Sequence, residues 1–326
     1  MKVSSIIKTT VVCLSFFLFC SIYFVYPHPK TGLVKQEITP DIVGTIANEI
    51  IKFIARNMTT KTDRFDCFLG RKHSGIDLLT QRHAGDNQES PETNAKKALF
   101  YDRLLLKEKL EFRNIIKTFS EGVPKNITYF LYAGALLGSY SHHGMIPWDD
   151  DLDIIVREKD MPLLLTFLQS LRPKYDHYTK WKVNWKLYHK TSPKAGSMAW
   201  KWPFVDIFFY SEHPSFIQDC RNTEKKFNKT DVFPLIKRPF MGMMLPAPRH
   251  TRKVLESTYT IDLCVSNSYD HRLEKNVPSK CVVKLPCDLL KDKFPFVERQ
   301  KSKNTSIEVF DAAYCNQSVY ETTNIY

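Results

Sequence analysis

Residues 147–156 read PWDDDLDIIV, in which four aspartates lead into an apolar run typical of a buried strand. On an extended chain alternate side chains share a face, so Asp149, Asp151 and Asp153 point one way and Asp150 the other. Carboxylates spaced by roughly 7 Å repel one another unless a cation lies between them, and oxygen ligands favour Mg²⁺, Mn²⁺ or Ca²⁺. The stretch therefore predicts a metal site at the start of a strand. A solvated acidic turn is the alternative.

Two further features fit such a site. Gly138 and Ser139 precede the aspartates, and Asp206 lies between apolar Val205 and Ile207 on a later predicted strand. Glycine permits close approach of a phosphate, and a serine hydroxyl or helix N-terminal amides can hold its oxygens. A third carboxylate from a neighbouring strand can help to grip a metal that bridges phosphates. Taken alone, Asp206 could equally be a buried aspartate bonded to the backbone.

Helices and strands both occur around these residues. A long amphipathic helix is predicted from about 92 to 120, with Ser90 as its cap. Strands are predicted at 127–132, 152–156, 181–189 and 204–210, and helices at 134–140, 161–171 and 249–258. This order predicts an α+β fold, a mixed sheet with helices packed on it.

The N-terminus has the pattern of a membrane anchor. After Lys2 and Lys8, residues 9–26 form an uncharged run of 18 residues. As a helix this run would rise roughly 27 Å, close to the ~30 Å hydrocarbon core. The two lysines place the short end in the cytosol, which predicts a single-pass type II signal anchor with the rest of the chain lumenal. A cleaved signal peptide is the alternative.

Glycosylation motifs and cysteines agree with a lumenal location. Asn-x-Ser/Thr sequences begin at Asn57, Asn126, Asn228, Asn304 and Asn316. The cysteines outside the anchor are Cys67, Cys220, Cys264, Cys281, Cys287 and Cys315. This even number predicts disulfides, with the pairing left open. We therefore expect a glycoprotein of the Golgi or endoplasmic reticulum membrane that binds no nucleic acid, despite a net charge of +12.

The aspartate motif and its neighbours resemble a known family. Residues 132–138 (YAGALLG), 144–153 (GMIPWDDDLD) and 205–208 (VDIF) are similar to blocks of the LicD family. This family belongs to the polymerase-β-type nucleotidyltransferase superfamily and includes bacterial phosphocholine transferases, fukutin and fukutin-related protein. The resemblance covers roughly residues 96–262. One departure is Ser141, which stands where many members have an arginine.

The resemblance implies a nucleotidyltransferase-like mixed sheet and a metal-dependent phosphotransferase. Such an enzyme moves phosphocholine or ribitol phosphate from a CDP-alcohol donor to a glycan acceptor on protein or lipid, using Mg²⁺ or Mn²⁺. It also implies roles for individual residues. The implied metal ligands are Asp149, Asp151, Asp153 and Asp206, the last three being catalytic, and Gly138 and Ser139 would face the donor phosphates. Further possible phosphate contacts are Lys201, Arg238, Arg249 and Arg252.

The expected domain organisation has four parts. A cytosolic tail (1–8) and the transmembrane anchor (9–26) precede a lumenal stem (27–95) and a LicD-like catalytic domain (96–326). Two other functions stay open. A Golgi glycosyltransferase also uses an Asp-x-Asp motif but would normally place a sugar-nucleotide domain before it. A non-catalytic lumenal binding protein of a glycan pathway is the second.

Overall fold

The computed structural model describes residues 90–302, 305–310 and 318–323. The predicted cytosolic tail, the anchor and most of the stem lie outside the described residues, as do Asn57, Asn304, Asn316, Cys67 and Cys315. Within the part of the chain that is described, no helix combines the length and apolar character needed to cross a membrane.

A seven-stranded mixed sheet lies at the centre of the described region. Its strands are β1 (Tyr129–Leu131), β2 (Asp153–Arg157), β3 (Tyr175–Tyr178), β4 (Asn184–His189), β5 (Phe204–Glu212), β6 (Phe216–Asp219) and β7 (Lys226–Asn228). Five of them follow the order β1-β2-β5-β4-β3, while β6 pairs with both β5 and β7. Strands β2 and β5 run parallel, and the other pairs of this sheet are antiparallel. The predicted α+β fold with a mixed sheet is confirmed.

Six α-helices occur in the described region. They are α1 (Pro91–Ala98), α2 (Leu106–Gly122), α3 (Ala133–His142), α4 (Met161–Ser170), α5 (Lys229–Val232) and α6 (Thr251–Glu256). Helix α2 contacts β4 and β5, and its buried Phe112, Ile115, Ile116 and Phe119 recur at helical spacing. Helix α3 contacts β2, which places its first turn near the start of that strand.

The single long helix predicted over 92–120 is instead two helices, α1 and α2, with a break at residues 99–105. In this break Phe100 is fully buried against Trp148, with ring centroids 5.1 Å apart. The Arg103 N–H donates to the Pro147 carbonyl oxygen at 3.1 Å. The segment leaves helical geometry where Phe100 and Arg103 contact the acidic loop (residues 147–152).

The remaining strands form smaller sheets. Strands β8 (Ile236–Phe240) and β9 (Met243–Ala247) form a hairpin. Further along the chain, β10 (Leu263–Val265) pairs with β13 (Lys284–Pro286). Between these two strands, β11 (Tyr269–Asp270) pairs with β12 (Lys275–Asn276). A three-stranded sheet contains β14 (Val297–Ser302), β15 (Thr305–Phe310) and β16 (Ser318–Thr323). A disulfide joins Cys264 to Cys287, two of the six cysteines for which disulfides are predicted. Cys220 and Cys281 carry free thiols.

The close approach of α3 to the loop that follows it generates a first prediction. A Cβ atom on Gly138 would lie 2.3 Å from the Gly144 carbonyl oxygen and 3.0 Å from the Ile146 amide nitrogen. Backbone atoms cannot move aside without displacing the chain around them, so Gly138→Ala should destabilise the fold by about 1–3 kcal/mol. Thermal unfolding of the full-length protein would show this as a lower midpoint.

Gly144→Ala is the matched control, because the nearest atom to its added Cβ would be 3.7 Å away. It should change the free energy of unfolding by no more than about 0.5 kcal/mol. Equal midpoints for the wild type and Gly138→Ala would contradict the packing described here.

Candidate functional site

Three carboxylates meet where strands β2 and β5 lie side by side. Asp153 is the first residue of β2 and pairs with Asp206 of β5 in the parallel register. The Asp206 N–H donates to the Leu152 carbonyl oxygen at 2.8 Å, which fixes this register at the strand start. One carboxylate oxygen from each of Asp151, Asp153 and Asp206 lies within 4.8 Å of the other two. Pairing of two strands thus brings together aspartates that are distant in sequence.

The chemistry of this cluster fits a divalent cation. Asp153 is only 5% exposed, and its Oδ1 atom is buried without a hydrogen-bond partner. Burial, reinforced by the neighbouring carboxylates, raises the pKa of Asp151 and of Asp153 to about 7. Buried carboxylates this close resist ionising together unless a positive charge offsets them. An all-oxygen set of ligands suits Mg²⁺ or Mn²⁺, the ions that the sequence predicts.

Asp206 is oriented by two donors from β4. The Lys186 ammonium donates to Asp206 Oδ1 at 2.6 Å, and the Asn184 side-chain amide donates to the same oxygen at 3.2 Å. All three side chains are buried. The Lys186 ammonium also lies 3.9 Å from the centre of the Phe204 ring, a favourable cation–π contact. These contacts hold Asp206 in one orientation.

Asp149 belongs to a second group that shares Asp151 and includes His271. One ligand atom from each of these three residues lies within 4.8 Å of the other two. The His271 Nε2 atom is 3.3 Å from Asp151 Oδ2. Burial, followed by the charge of Asp151, raises the pKa of Asp149 well above its usual range. Burial lowers the pKa of His271, but the charges of Asp151 and Asp150 outweigh it and raise this pKa to about 10.

Asp150 points away from this cluster, as the alternation along the chain predicts. Its carboxylate is buried and accepts hydrogen bonds from Arg103 Nη2 at 3.2 Å, Asn267 Nδ2 at 3.2 Å and His271 Nδ1 at 3.0 Å. Burial raises the pKa of Asp150, yet the bonds and charges of His271 and Arg103 prevail and lower it. Asp150 therefore stays ionised and fastens the acidic loop to residues 267–271.

A cavity of about 500 Å³ opens beside these carboxylates. Its size falls within the range of roughly 300–1,000 Å³ that is common for small-molecule sites. Asp149, Asp151 and Asp153 line it, while Asp206 does not. Aromatic and polar side chains complete the wall, among them Trp148, Tyr259, Ser266, Asn267, Tyr269 and Phe296. The cationic side chains among the described lining residues are His271 and Lys284, because burial lowers the pKa of His142 to about 4.

Gly138 and Ser139 lie away from this cavity, which corrects the prediction that they face the donor phosphates. Ser139 is fully buried, and its hydroxyl donates to the Pro239 carbonyl oxygen at 2.8 Å. Gly138 instead permits the close packing of α3 on the backbone of Gly144. The reason is helical periodicity, because Ser139 falls on the side of α3 opposite to its cavity-lining face, while Gly138 lies at the edge of that face, against the backbone of residues 144–146.

The face of α3 that reaches the cavity carries Ala133, Gly134, Leu137 and Ser141. A Cβ atom on Gly134 would lie 3.0 Å from Asp149 Oδ2, so glycine here allows the start of α3 to approach the carboxylates. Ser141 therefore faces the cavity.

The cations suggested as phosphate contacts also lie elsewhere, because Lys201, Arg238, Arg249 and Arg252 do not line the cavity. Arg238 is 2% exposed and donates to Glu308 Oε2 at 2.7 Å. Arg252 pairs with Glu256 at 2.7 Å on the surface of α6. Arg238 and Arg252 are thus committed to other contacts.

Comparison with known proteins agrees with this arrangement. Residues 126–250 match the family described as LicD/FKTN/FKRP, nucleotidyltransferase domain. The match begins just before β1, includes all four candidate aspartates and ends before α6. The resemblance to the LicD family is confirmed over these residues.

Two curated relatives are bacterial. An uncharacterized protein of Rickettsia prowazekii is 36% identical over 153 residues, covering 45% of this chain and 53% of the relative. An uncharacterized protein of Rickettsia typhi is 27% identical over 151 residues, covering 45% of this chain and 44% of the relative. The chain spans about half the length of these relatives.

Three residues of the site are absent from the predictions made on the sequence. Asn184 and Lys186 carry a signal that could have indicated them, since they alternate on a predicted strand and so share one face. His271 carries none, because it lies in a segment without a recognisable motif and reaches the aspartates only through tertiary contacts.

The metal-free, full-length protein should lose stability as the pH rises from about 5 to 8. The pKa of Asp151 and Asp153 is about 7 in the folded chain, against roughly 4 when unfolded. The folded state therefore binds more protons between these values, and its stability falls across them. His271, with its pKa raised to about 10, acts in the same direction above roughly pH 6.5. Thermal midpoints measured in a pH series test this.

Added Mn²⁺ should raise the midpoint more at the alkaline end of this series, because protons compete with a metal for the carboxylates. In the double variant Asp151→Asn/Asp153→Asn, both the pH dependence and the Mn²⁺ effect should be smaller. A gain with Mn²⁺ that does not vary with pH would count against this description of the cluster.

Proposed function

We propose that this protein transfers a phosphorylated alcohol from a CDP-linked donor to a hydroxyl group of a glycan. The observation that carries the proposal is the convergence of Asp151, Asp153 and Asp206 beside a cavity, within a domain that matches the LicD family. This family consists generally of phosphotransferases of the choline-phosphate and ribitol-phosphate type. The cavity volume is sufficient for a nucleotide-sized donor.

In the proposed reaction the acceptor hydroxyl oxygen bonds to the phosphorus that carries the alcohol. The bond between this phosphorus and the oxygen shared by the two phosphates breaks, and CMP leaves with that oxygen and its electron pair. The hydroxyl proton passes to a carboxylate of the cavity or to solvent. Phosphoryl transfer of this kind depends mainly on positioning and on neutralisation of negative charge.

Mg²⁺ or Mn²⁺ would supply that neutralisation at the donor phosphates, as in other phosphoryl-transfer sites. Asp151, Asp153 and Asp206 would hold the ion, and Lys186 with Asn184 would keep Asp206 in place. Asp206 does not line the cavity, which favours a role as metal ligand over one as acceptor of the hydroxyl proton. Asp149, which does line it, is better placed for the acceptor side.

We also propose that the domain works on the lumenal side of the secretory pathway, anchored by residues 9–26. The Cys264–Cys287 disulfide supports an oxidising compartment. Asn126 and Asn228, the two sequons in the described residues, have exposed asparagines that could accept a glycan. Glycosidase treatment of the expressed protein, followed by a mass shift on gels, tests this location.

The reaction can be tested by CMP release from a panel of CDP-alcohols, including CDP-choline and CDP-ribitol, by the full-length protein with Mn²⁺ or Mg²⁺. Asp151→Asn and Asp153→Asn should each lower turnover on the order of 10²–10³-fold, because each removes charge stabilisation at the reacting phosphate. Chelation with EDTA should abolish turnover.

Asp288→Asn, at an exposed aspartate outside the cavity, is the control and should keep wild-type turnover. UDP-sugars belong in the same panel, because release of UDP with no release of CMP would identify a glycosyltransferase instead. Wild-type turnover in Asp151→Asn would refute the site assignment.

A further inference from the structure

We propose that an aromatic and basic surface next to the aspartate cluster binds the acceptor, and that this acceptor is an oligosaccharide carrying phosphate, sulfate or carboxylate groups. We call this surface the platform. Its aromatic part is formed by Tyr178, Trp181 and Trp200, which contact one another. Its basic part is formed by the lysines of the same two chain segments: Lys180, Lys182, Lys190, Lys194 and Lys201. Its role as acceptor site rests on the proposed function, whereas its affinity for an anionic oligosaccharide can be measured without any reaction.

The exposure of Trp181 is the first observation. Trp181 lies in the connection between β3 and β4 and is 44% exposed, whereas the other four tryptophans of the chain are at most 6% exposed. Its ring packs edge to face on Trp200, with the centroids 4.8 Å apart. Tyr178 contacts both rings, at 5.8 Å from Trp181 and 5.0 Å from Trp200. A tryptophan held in this way presents a rigid apolar surface to solvent, on which the C–H faces of sugar rings can pack.

The position of the platform on the central sheet is the second observation. Tyr178 of β3 is paired with Lys186 of β4, and Lys186 is paired with Asp206 of β5. Residues paired across neighbouring strands share a face of the sheet, so the platform lies on the same face as Asp206. Two strand spacings separate Tyr178 from Asp206, which is about 10 Å. An oligosaccharide that packs on Trp181 can therefore extend along this face to the aspartate cluster.

The connection between the platform and the cavity is the third observation. The Trp200 indole N–H donates to Glu274 Oε1 at 2.8 Å, and the Tyr269 hydroxyl donates to Glu274 Oε2 at 3.0 Å. Tyr269 lines the cavity. The Gly196 N–H donates to the Arg272 carbonyl oxygen at 2.9 Å, which fastens the connection between β4 and β5 to the same segment. Hydrogen bonds thus join the platform to the wall of the cavity, as a ligand that spans both would require.

The charge of the platform is the fourth observation. Residues 177–205 contain six lysines and no aspartate or glutamate. Lys186 is buried against Asp206. The five platform lysines have no carboxylate partner within the part of the chain that the structure describes. Lys201, which the sequence suggested as a contact of the donor phosphates, is one of these five. Ammonium groups without carboxylate partners beside an exposed tryptophan favour a ligand that combines sugar rings with negative charges.

An anionic membrane surface is the other ligand that tryptophan and lysine side chains commonly bind. The platform suits a glycan better, because it lies on the same face as Asp206 and is joined to the cavity wall through Glu274. A membrane surface would need neither of these features. The test therefore includes both kinds of ligand.

The test is isothermal titration calorimetry of the full-length protein with a sulfated heparin hexasaccharide and with its desulfated counterpart, without donor and without added metal ions. The sulfated probe should bind more tightly than the desulfated one. Trp181→Ala should weaken its binding about 10–30-fold, because truncating a central tryptophan removes most of its contact area. Trp181→Tyr keeps an aromatic ring and should retain most of the affinity.

The contribution of charge is tested with two matched pairs of lysines. Lys180→Gln/Lys182→Gln should weaken binding of the sulfated probe about 3–10-fold and lower its salt dependence. Lys125→Gln/Lys159→Gln removes two exposed lysines near β1, at the opposite edge of the sheet from β3, and should match the wild type. Leu163→Ala, at an exposed apolar residue of α4, is the control for Trp181→Ala and should also match it.

Equal weakening by the two pairs of lysine substitutions would overturn the proposal, because binding would then follow from net charge alone. Binding to phosphatidylserine vesicles that depends on Trp181, with no binding of the hexasaccharide, would overturn it in favour of a membrane surface. The lysine pairs and Trp181→Tyr keep the test valid if Trp181→Ala does not fold.

The platform and the proposed reaction fail separately. Release of CMP together with unchanged hexasaccharide binding in Trp181→Ala would leave the reaction standing and remove the platform. Binding that depends on Trp181 and on the platform lysines, without release of CMP from any CDP-alcohol, would retain the platform as a glycan site and remove the reaction.

Discussion

Electrostatic repulsion among closely spaced carboxylates is the constraint on which this site depends. The backbone pairing of β2 with β5 sets Asp153 beside Asp206. Asp151, two residues before Asp153, lies close to both carboxylates. The apolar residues Ile154, Ile155 and Val156 are fully buried and hold β2 in the sheet. Burial of these residues in the hydrophobic core thus keeps the carboxylates close together. Such an arrangement is stable at neutral pH when a positive charge offsets the carboxylates, and this group at the start of the two strands could hold a metal ion.

The opposite face of the acidic loop has a different function, which is to hold together parts of the chain that are far apart. Asp150 accepts hydrogen bonds from Arg103, which precedes the family match, and from His271, which follows it. Trp202 also donates its indole N–H to the Asp150 carbonyl oxygen, at 2.8 Å. The break between α1 and α2 and the β10–β13 region therefore belong to the site as much as the central sheet does. A domain limited to residues 126–250 would lack one wall of the cavity.

Among the described residues, positive charge is not concentrated at this cavity. The protein carries 47 lysines and arginines against 35 acidic residues. Yet Arg238 is buried against Glu308, Arg252 pairs on a helix surface, and Lys186 is occupied by Asp206. Net charge describes the average field around a protein and does not locate a binding site. The cavity instead combines carboxylates with aromatic and small polar side chains.

Short stretches of sequence were sufficient to predict the elements whose signals are local. Alternation separated Asp150 from Asp149, Asp151 and Asp153, and apolar runs located β2 and β5, because side-chain direction on a strand follows directly from residue number. Features that depend on partners distant in the chain became visible only in the folded protein. The predicted long helix is interrupted at Phe100, which packs against Trp148. Gly138 and Ser139 lie away from the cavity, and His271 lies beside the aspartates. These outcomes depend on which surfaces pack together, and that is set by the whole fold rather than by any short stretch of residues.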